Sequence, residues 1–87
     1  MYLHLGQNIV VKKAQVIGIF DLDNTTGSYI TRKFLADAEK AGRVISVSDE
    51  LPKSFVLCGE DNGMKIYLSQ LSTQTLLKRS ETRQLDV

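Results

Sequence analysis

The 87-residue sequence contains one cysteine, one histidine, one proline and no tryptophan. A disulfide within the chain needs two cysteines, and a structural zinc site needs about four Cys or His ligands. With Cys58 and His4 alone, the chain can form neither of them. No apolar run approaches the ~18 residues that span a bilayer, and the first residues show no basic leader followed by an apolar segment. We therefore expect a cytoplasmic protein from a reducing compartment, with no metal, no cofactor and no membrane association.

The sequence also lacks an excess of positive or negative charge. Lys and Arg number 11 and Asp and Glu number 10, which gives a formal net charge of +1. A nucleic-acid-binding domain usually shows a clear basic excess, so any polyanion site here has to arise from local segregation of charge. Hydrophobic residues make up 43% of the chain, which suits one small folded domain. We assign this domain to residues 1–80 and expect residues 81–87 to be a frayed tail.

What the sequence does contain is a run of short β-branched segments separated by turn residues. These predict strands over residues 2–5, 9–11, 15–20, 43–47, 54–58 and 64–68. A helix follows Ser28, with an apolar stripe at Ile30, Phe34, Leu35, Ala38 and Ala41, and Gly42 ends it. A short helix opens at Ser72 and ends at Arg79. The order β-β-β-α-β-β-β-α predicts an α+β domain with a small, mostly antiparallel sheet, one principal helix and a short C-terminal helix.

The third predicted strand is apolar on both faces. Alternation places Val16, Gly18 and Phe20 on one face and Ile17 and Ile19 on the other. A chain this short has few elements left to cover a second face. We therefore expect a subunit interface at this strand, and hence a homo-oligomer.

The polar segment after this strand is similar to the first motif of the haloacid dehalogenase phosphatases, D-x-D-x-T, with Asp21, Asp23 and Thr25 in its positions. In such a motif one carboxylate attacks phosphorus, the second transfers a proton, and Mg²⁺ neutralises the charge. The downstream lysine, the second acidic pair and the length of a doubly wound sheet are missing. We expect these residues to serve a turn and a helix entry, without metal and without catalysis, and a phosphatase fragment is the third hypothesis.

Three groups of basic residues are candidates for contacting nucleic acid: Lys12 with Lys13, Lys53 alone, and Lys78 with Arg79 and Arg83. Each has a structural alternative, since the first pair suits a solvated turn and the last group complements a helix C-terminus. No RRM aromatic pair, zinc finger or helix-turn-helix signature accompanies them.

Residues 1–80 resemble the RemA/RemB family of small bacterial extracellular-matrix regulators, and most closely its RemB branch. The resemblance is carried by the opening MYLHLG and by the segments IVV, VIGIFD, ITRKFL and YLS, which begin at residues 1, 9, 16, 30 and 67. It implies a fold likened to LytTR domains and a closed homo-oligomeric ring around which DNA wraps. It also implies a nucleoid-associated, DNA-binding transcription regulator of biofilm-matrix genes, with a related family member as a further candidate partner.

The chain departs from this family in the loop that precedes the predicted hairpin. RemA-type members carry a cluster of arginines there, whereas this loop contains Asp49, Glu50 and Lys53. Lys53 remains at that site, and Lys12 and Lys13 lie near a second basic position of the family. We expect these three lysines to contact backbone phosphates of double-stranded DNA rather than to read bases. The alternative is an oligomeric protein-interaction or assembly module that retains the ring but has lost DNA binding.

Overall fold

A computed structural model describes residues 1–22, 29–61 and 63–81, with the side chains of 29–31 left undescribed. Across these residues it contains six strands: β1 (Tyr2–Gly6), β2 (Ile9–Lys12), β3 (Val16–Asp21), β4 (Val44–Ser46), β5 (Ser54–Glu60) and β6 (Gly63–Ser69). Two α-helices accompany them, α1 (Tyr29–Lys40) and α2 (Thr73–Glu81), and a 3₁₀ turn over Lys13–Gln15 joins β2 to β3. The predicted α+β class and element order are confirmed.

The strands form two sheets. β1 and β2 make an antiparallel hairpin, and the other four pair in the order β3-β5-β6-β4. β5 runs antiparallel to both of its neighbours, whereas β4 lies parallel to β6. The pairing is therefore mostly antiparallel, as expected, but the sequence analysis predicted neither the division into two sheets nor the parallel edge.

One face of the four-stranded sheet is covered by the β1–β2 hairpin together with α2. The buried residues of this core cluster come from the sheet, the hairpin and α2: Leu3, Leu5, Val11, Val47, Val56, Cys58, Tyr67 and Leu76. Leu76 is fully buried because it points from α2 onto the sheet. The hairpin thus turns one side inward and leaves its other side in solvent.

The opposite face is covered by α1. Phe55 and Ile66 from the sheet pack with Leu22 and with Ala38 of the helix. The predicted helical stripe is only partly correct here, because Phe34 and Ala41 are exposed. Leu35 and Ala38, three residues apart, are the helix residues that contact the sheet. Phe34 and Ala41 lie to the sides of this contact and face solvent.

The alternation predicted for β3, which placed Val16 and Ile19 on opposite faces, needs correction. Val16 and Ile19 pack against the cluster beneath the hairpin and α2, so one face of β3 is covered within the chain. A bulge between Val16 and Gly18 leaves Ile17 60% exposed, and Phe20 on the same edge is 39% exposed. The two-stranded hairpin and the nine-residue helix α2 lie side by side over this face of the sheet, and together they cover it.

The β5–β6 hairpin is tighter than predicted. β5 extends to Glu60 and β6 begins at Gly63, whose positive φ of 111° suits the turn. Both strands are longer than the predicted 54–58 and 64–68 because the ladder continues to the Glu60–Gly63 pair. Asn62, on which the turn prediction also rested, lies outside the described residues.

Candidate nucleic-acid interface

Lys12 lies at the end of β2 on the outer face of the β1–β2 hairpin. Its cross-strand partner is Tyr2, and the neighbouring outward pair is His4 with Val10. All four side chains are exposed, because the inward positions of both strands belong to the core. The ammonium group of Lys12 is thus presented to solvent beside an exposed aromatic ring.

Lys13 has a different role from Lys12. It is half-buried, and its Nζ donates a hydrogen bond of 2.9 Å to the carbonyl oxygen of Ser80 in the last turn of α2. Carbonyl groups at a helix C-terminus lack intrahelical partners and carry partial negative charge, so a lysine ammonium stabilises them. The structure therefore places one of the three predicted phosphate-binding lysines at a helix cap.

The last turn of α2 brings a second basic pair to the hairpin. Arg79 donates a hydrogen bond from Nη1 to the carbonyl oxygen of His4 at 3.2 Å, and Lys78 is exposed on the same turn. Lys12 and Lys13, which the sequence analysis treated as separate from Lys78 and Arg79, thus come together. We call these four residues the basic surface. Arg83 lies outside the described residues.

Lys53 lies at the other end of the sheet. It directly precedes β5, where Ser54 pairs with Asp21, whereas the start of β3 pairs with Cys58. Its backbone N–H donates to Ser69 and its carbonyl accepts from Leu22, at 2.9 and 3.0 Å. Five residues of extended strand separate the two ends by about 15 Å. Within one protomer, the structure does not bring Lys53 together with Lys12 and Lys13.

The loop before β5 is acidic and borders an apolar groove. Asp49 and Glu50 are exposed, and Leu51 is 86% exposed. A groove of about 490 Å³ lies between this loop, α1 and the sheet, and its lining is mainly apolar: Leu22, Leu35, Ala36, Glu39, Val44, Leu51, Pro52 and Leu68. Asp49 and Glu50 therefore lie outside the basic surface, whereas the exposed Glu81 is on the same turn of α2 as Lys78 and Arg79.

A polar cluster lies at the end of the β5–β6 hairpin. The Tyr67 hydroxyl donates to Glu60 Oε2 at 3.1 Å, and Lys65 Nζ lies 3.4 Å from Glu60 Oε1. Burial, followed by the hydrogen bond to Glu60, raises the pKa of Tyr67 to about 12. Burial, followed by the Glu60 charge, raises the pKa of the Cys58 thiol to about 11. A thiol held protonated in this way is a poor nucleophile, so the cluster serves packing.

The residues of the phosphatase-like motif are only partly described. Asp21 ends β3 and is half-buried, whereas Asp23 and Thr25 lie outside the described residues. No group of three His, Cys, Asp or Glu side chains that could hold a metal ion occurs in residues 1–22, 29–61 and 63–81. In the same ranges no helix is long and apolar enough to cross a membrane.

The pairing of α2 with the hairpin is the feature that sequence reasoning missed. The Lys13–Ser80 and Arg79–His4 contacts join residues 67 and 75 positions apart. In the sequence, Lys12-Lys13 and Lys78-Arg79 each stand at the end of a predicted strand or helix. This placement does not indicate that the strand and the helix contact each other.

Comparisons with known proteins agree on one family. The family model described as RemA-like, extracellular matrix regulatory protein A-like, matches residues 2–79. The chain is 36% identical over 81 residues to extracellular matrix regulatory protein B of Bacillus subtilis (strain 168). That alignment covers 93% of this chain and 91% of the relative.

Proposed function

Because the chain belongs to the RemA-like family of extracellular matrix regulatory proteins and is similar to protein B, we propose that it regulates extracellular-matrix genes by binding DNA. In this proposal it is a transcription regulator without enzymatic activity. It acts in the cytoplasm, associated with the nucleoid, as a closed ring of LytTR-like subunits. Double-stranded DNA is held mainly through its backbone phosphates.

The observation that carries the DNA-binding part is the segregation of charge. The chain as a whole has a formal net charge of +1, yet Lys12, Lys13, Lys78 and Arg79 gather where the hairpin meets α2. Asp49 and Glu50 lie in a separate loop. Since phosphate contacts supply most of the non-specific affinity for DNA, a local basic surface is sufficient for a backbone-binding protein.

Ring formation is supported by the edge of the four-stranded sheet. β3 pairs only with β5 among the described strands, so its other edge is open. Ile17 and Phe20 on this strand are exposed apolar side chains. An open edge with apolar side chains is a surface that another subunit can cover. Repetition around a ring would multiply weak phosphate contacts on a single DNA molecule.

The test is titration of fluorescent duplex DNA with the purified protein at several salt concentrations, using fluorescence anisotropy. We expect binding that weakens as salt rises, with little dependence on DNA sequence. Alanine at Lys12, Lys13 and Lys53, tested singly, identifies which of the three contacts phosphate. Because Lys13 caps α2, its variant also needs a thermal melt. No binding of wild-type protein even at low salt would contradict DNA binding.

The acidic loop favours a second candidate function. Leu51 directly follows Asp49 and Glu50, projects into solvent and borders the apolar groove of about 490 Å³. Leu51 is continuous with the apolar lining of this groove, and a contiguous exposed apolar patch is typical of a protein-binding surface. The alternative is therefore an oligomeric interaction module without DNA binding. This alternative would be favoured if light scattering shows a multimer while the anisotropy of duplex DNA stays unchanged at every salt concentration.

A further inference from the structure

We propose that the DNA backbone is contacted by the outer face of the β1–β2 hairpin together with the last turn of α2, through Lys12, Lys78 and Arg79. This inference rests on the proposed DNA binding and specifies where it occurs. It assigns the site to one surface of a single protomer, and Lys53 lies outside that surface.

The first argument is the contact that joins the two elements. Arg79 Nη1 lies 3.2 Å from the carbonyl oxygen of His4, which is on β1. His4 pairs with Val10, and Lys12 pairs with Tyr2 one outward position further along. Diagonal neighbours of this kind are about 7–8 Å apart, so the guanidinium group and Lys12 flank the same short stretch of hairpin.

The second argument concerns the ordinary role of basic residues in the last turn of a helix. Such residues usually stabilise their own terminal carbonyl groups. Here Lys13, from another element, donates to Ser80, while Arg79 reaches to β1 instead. A guanidinium group has five N–H donors, and the bond to His4 uses one of them. The other four N–H donors belong to the same guanidinium group, which is held beside His4. Because the Arg79 side chain is exposed, these donors can reach a phosphate oxygen.

The third argument is the chemistry of the surroundings. The exposed side chains beside Lys12 and Arg79 are Tyr2, His4 and Val10, and the acidic residue on this turn of α2 is Glu81. A tyrosine hydroxyl is a common donor to phosphate oxygens, and its ring can pack on a sugar. The face is made of a two-stranded hairpin and the side of a helix end. The proposed contacts run to phosphates, which are the same in every sequence, so we expect binding that is independent of sequence.

The experiment compares two double variants that each remove two positive charges. Lys12→Gln/Arg79→Gln alters the proposed surface, and Arg32→Gln/Lys40→Gln, which removes one arginine and one lysine exposed on α1, is the matched control. Each lost phosphate contact is expected to flatten the slope of log affinity against log salt by about 0.9, which corresponds to about eightfold in affinity at 0.1 M salt. We therefore expect about 60-fold weaker binding of a 30-base-pair duplex by the first variant, and unchanged binding by the control.

A single variant separates charge from structure. Arg79→Lys keeps the positive charge but loses the fork that reaches His4, so we expect it to bind DNA nearly as well as wild type. Equal loss by Arg79→Lys and Arg79→Gln would mean that the residue acts only by holding α2 to the hairpin, and this would overturn the proposal.

Two further outcomes distinguish the inference from the function on which it rests. Loss of binding in Lys53→Gln, with none in Lys12→Gln/Arg79→Gln, would overturn the assigned surface and leave DNA binding intact. Wild-type protein that binds vesicles of anionic phospholipid but no duplex DNA would overturn both, since the partner of the basic residues would then be a lipid surface.

Discussion

The side chains of Cys58 and Tyr67 both belong to the core beneath the hairpin and α2. Both groups have raised pKa values in the folded protein, about 11 for Cys58 from 9.0 and about 12 for Tyr67 from 10.0. A raised pKa means that folding favours the protonated form. The resulting stabilisation is complete below the unfolded pKa and is lost as the pH rises through the folded pKa. We therefore expect the free energy of unfolding to fall between about pH 9 and pH 12.

Urea denaturation at successive pH values measures this fall. Tyr67→Phe removes one of the two groups, so its free energy of unfolding should decline less steeply above pH 10 than that of wild type. Tyr2→Phe removes an exposed tyrosine and is the matched control. Parallel curves for wild type and Tyr67→Phe would contradict the assignment.

Gly18 is required by the ring of Phe20 rather than by backbone conformation. A Cβ atom at position 18 would lie 2.8 Å from ring atoms of Phe20, and that ring is stacked on Phe55 with centroids 4.9 Å apart. The alanine methyl group would have to displace this ring from its stack on Phe55. We expect Gly18→Ala to destabilise the protein by about 1–3 kcal/mol, the usual cost of overpacking, measured by urea denaturation.

Gly59→Ala is the control for this substitution. A Cβ atom there would meet the tip of the exposed Ile17 side chain at 3.2 Å, and that side chain can move. Since alanine is also favoured over glycine in a strand, the expected change is close to zero. Similar losses for the two variants would mean that strand conformation, not the Phe20 ring, dictates glycine at position 18.

At the scale of elements, Ser72 caps α2 as the sequence predicts. Its Oγ accepts a hydrogen bond from the backbone N–H of Thr75 at 3.2 Å, and its carbonyl accepts the first intrahelical bond, from Leu76. Ser72→Ala should lower the free energy of unfolding by about 1 kcal/mol. Ser80→Ala removes a hydroxyl from the other end of the same helix and should change it by less than about 0.5 kcal/mol. Thermal melts of both variants check this, and an unaffected Ser72→Ala would argue against the cap.

Features of the fold that depend on neighbours in sequence were predictable. The end of α1 is one such feature, since Gly42 has a φ of 74° and its N–H donates to Glu39 while Arg43 donates to Ala38. This pair of bonds is the Schellman motif that a glycine after an apolar stripe predicts. The Ser72 cap and the β5–β6 hairpin have the same local origin. Their signals lie within a few residues, so no knowledge of the rest of the chain is needed.

Features that depend on distant residues were not predictable. The parallel pairing of Val44–Ser46 with β6 follows from the way α1 packs, because a strand that follows the helix enters the sheet beside β6. The candidate site has the same character. The sequence shows Lys12, Lys13 and Lys53 only as strand-end and loop lysines, whereas the contacts of Lys13 with Ser80 and of Arg79 with His4 depend on how α2 docks. Adjacent basic residues in the sequence do not reveal that docking.

At the scale of the whole molecule, the covered and uncovered parts of the sheet indicate where another subunit can bind. On one face of the four-stranded sheet, α1 covers the part formed by Phe55 and Ile66. The hairpin and α2 cover the opposite face. What remains are the unpaired edges of β3 and β4, and on β3 the apolar side chain of Ile17 is 60% exposed. An apolar edge of this kind in a small domain favours association through strand pairing or side-chain packing.

We therefore expect an oligomer of more than two subunits at micromolar concentration, with a mass by light scattering above twice the 9.7 kDa of one chain. Ile17→Asp should shift the mass towards that of the monomer, because a carboxylate buried without a partner in the interface carries a large desolvation cost. It should leave the fold intact, since the side chain is exposed within one protomer. Val10→Asp places the same charge on the exposed outer face of the hairpin and should leave the mass unchanged. A wild-type mass of 9.7 kDa would refute the ring, and loss of assembly in Val10→Asp but not in Ile17→Asp would move the interface from β3 to the hairpin.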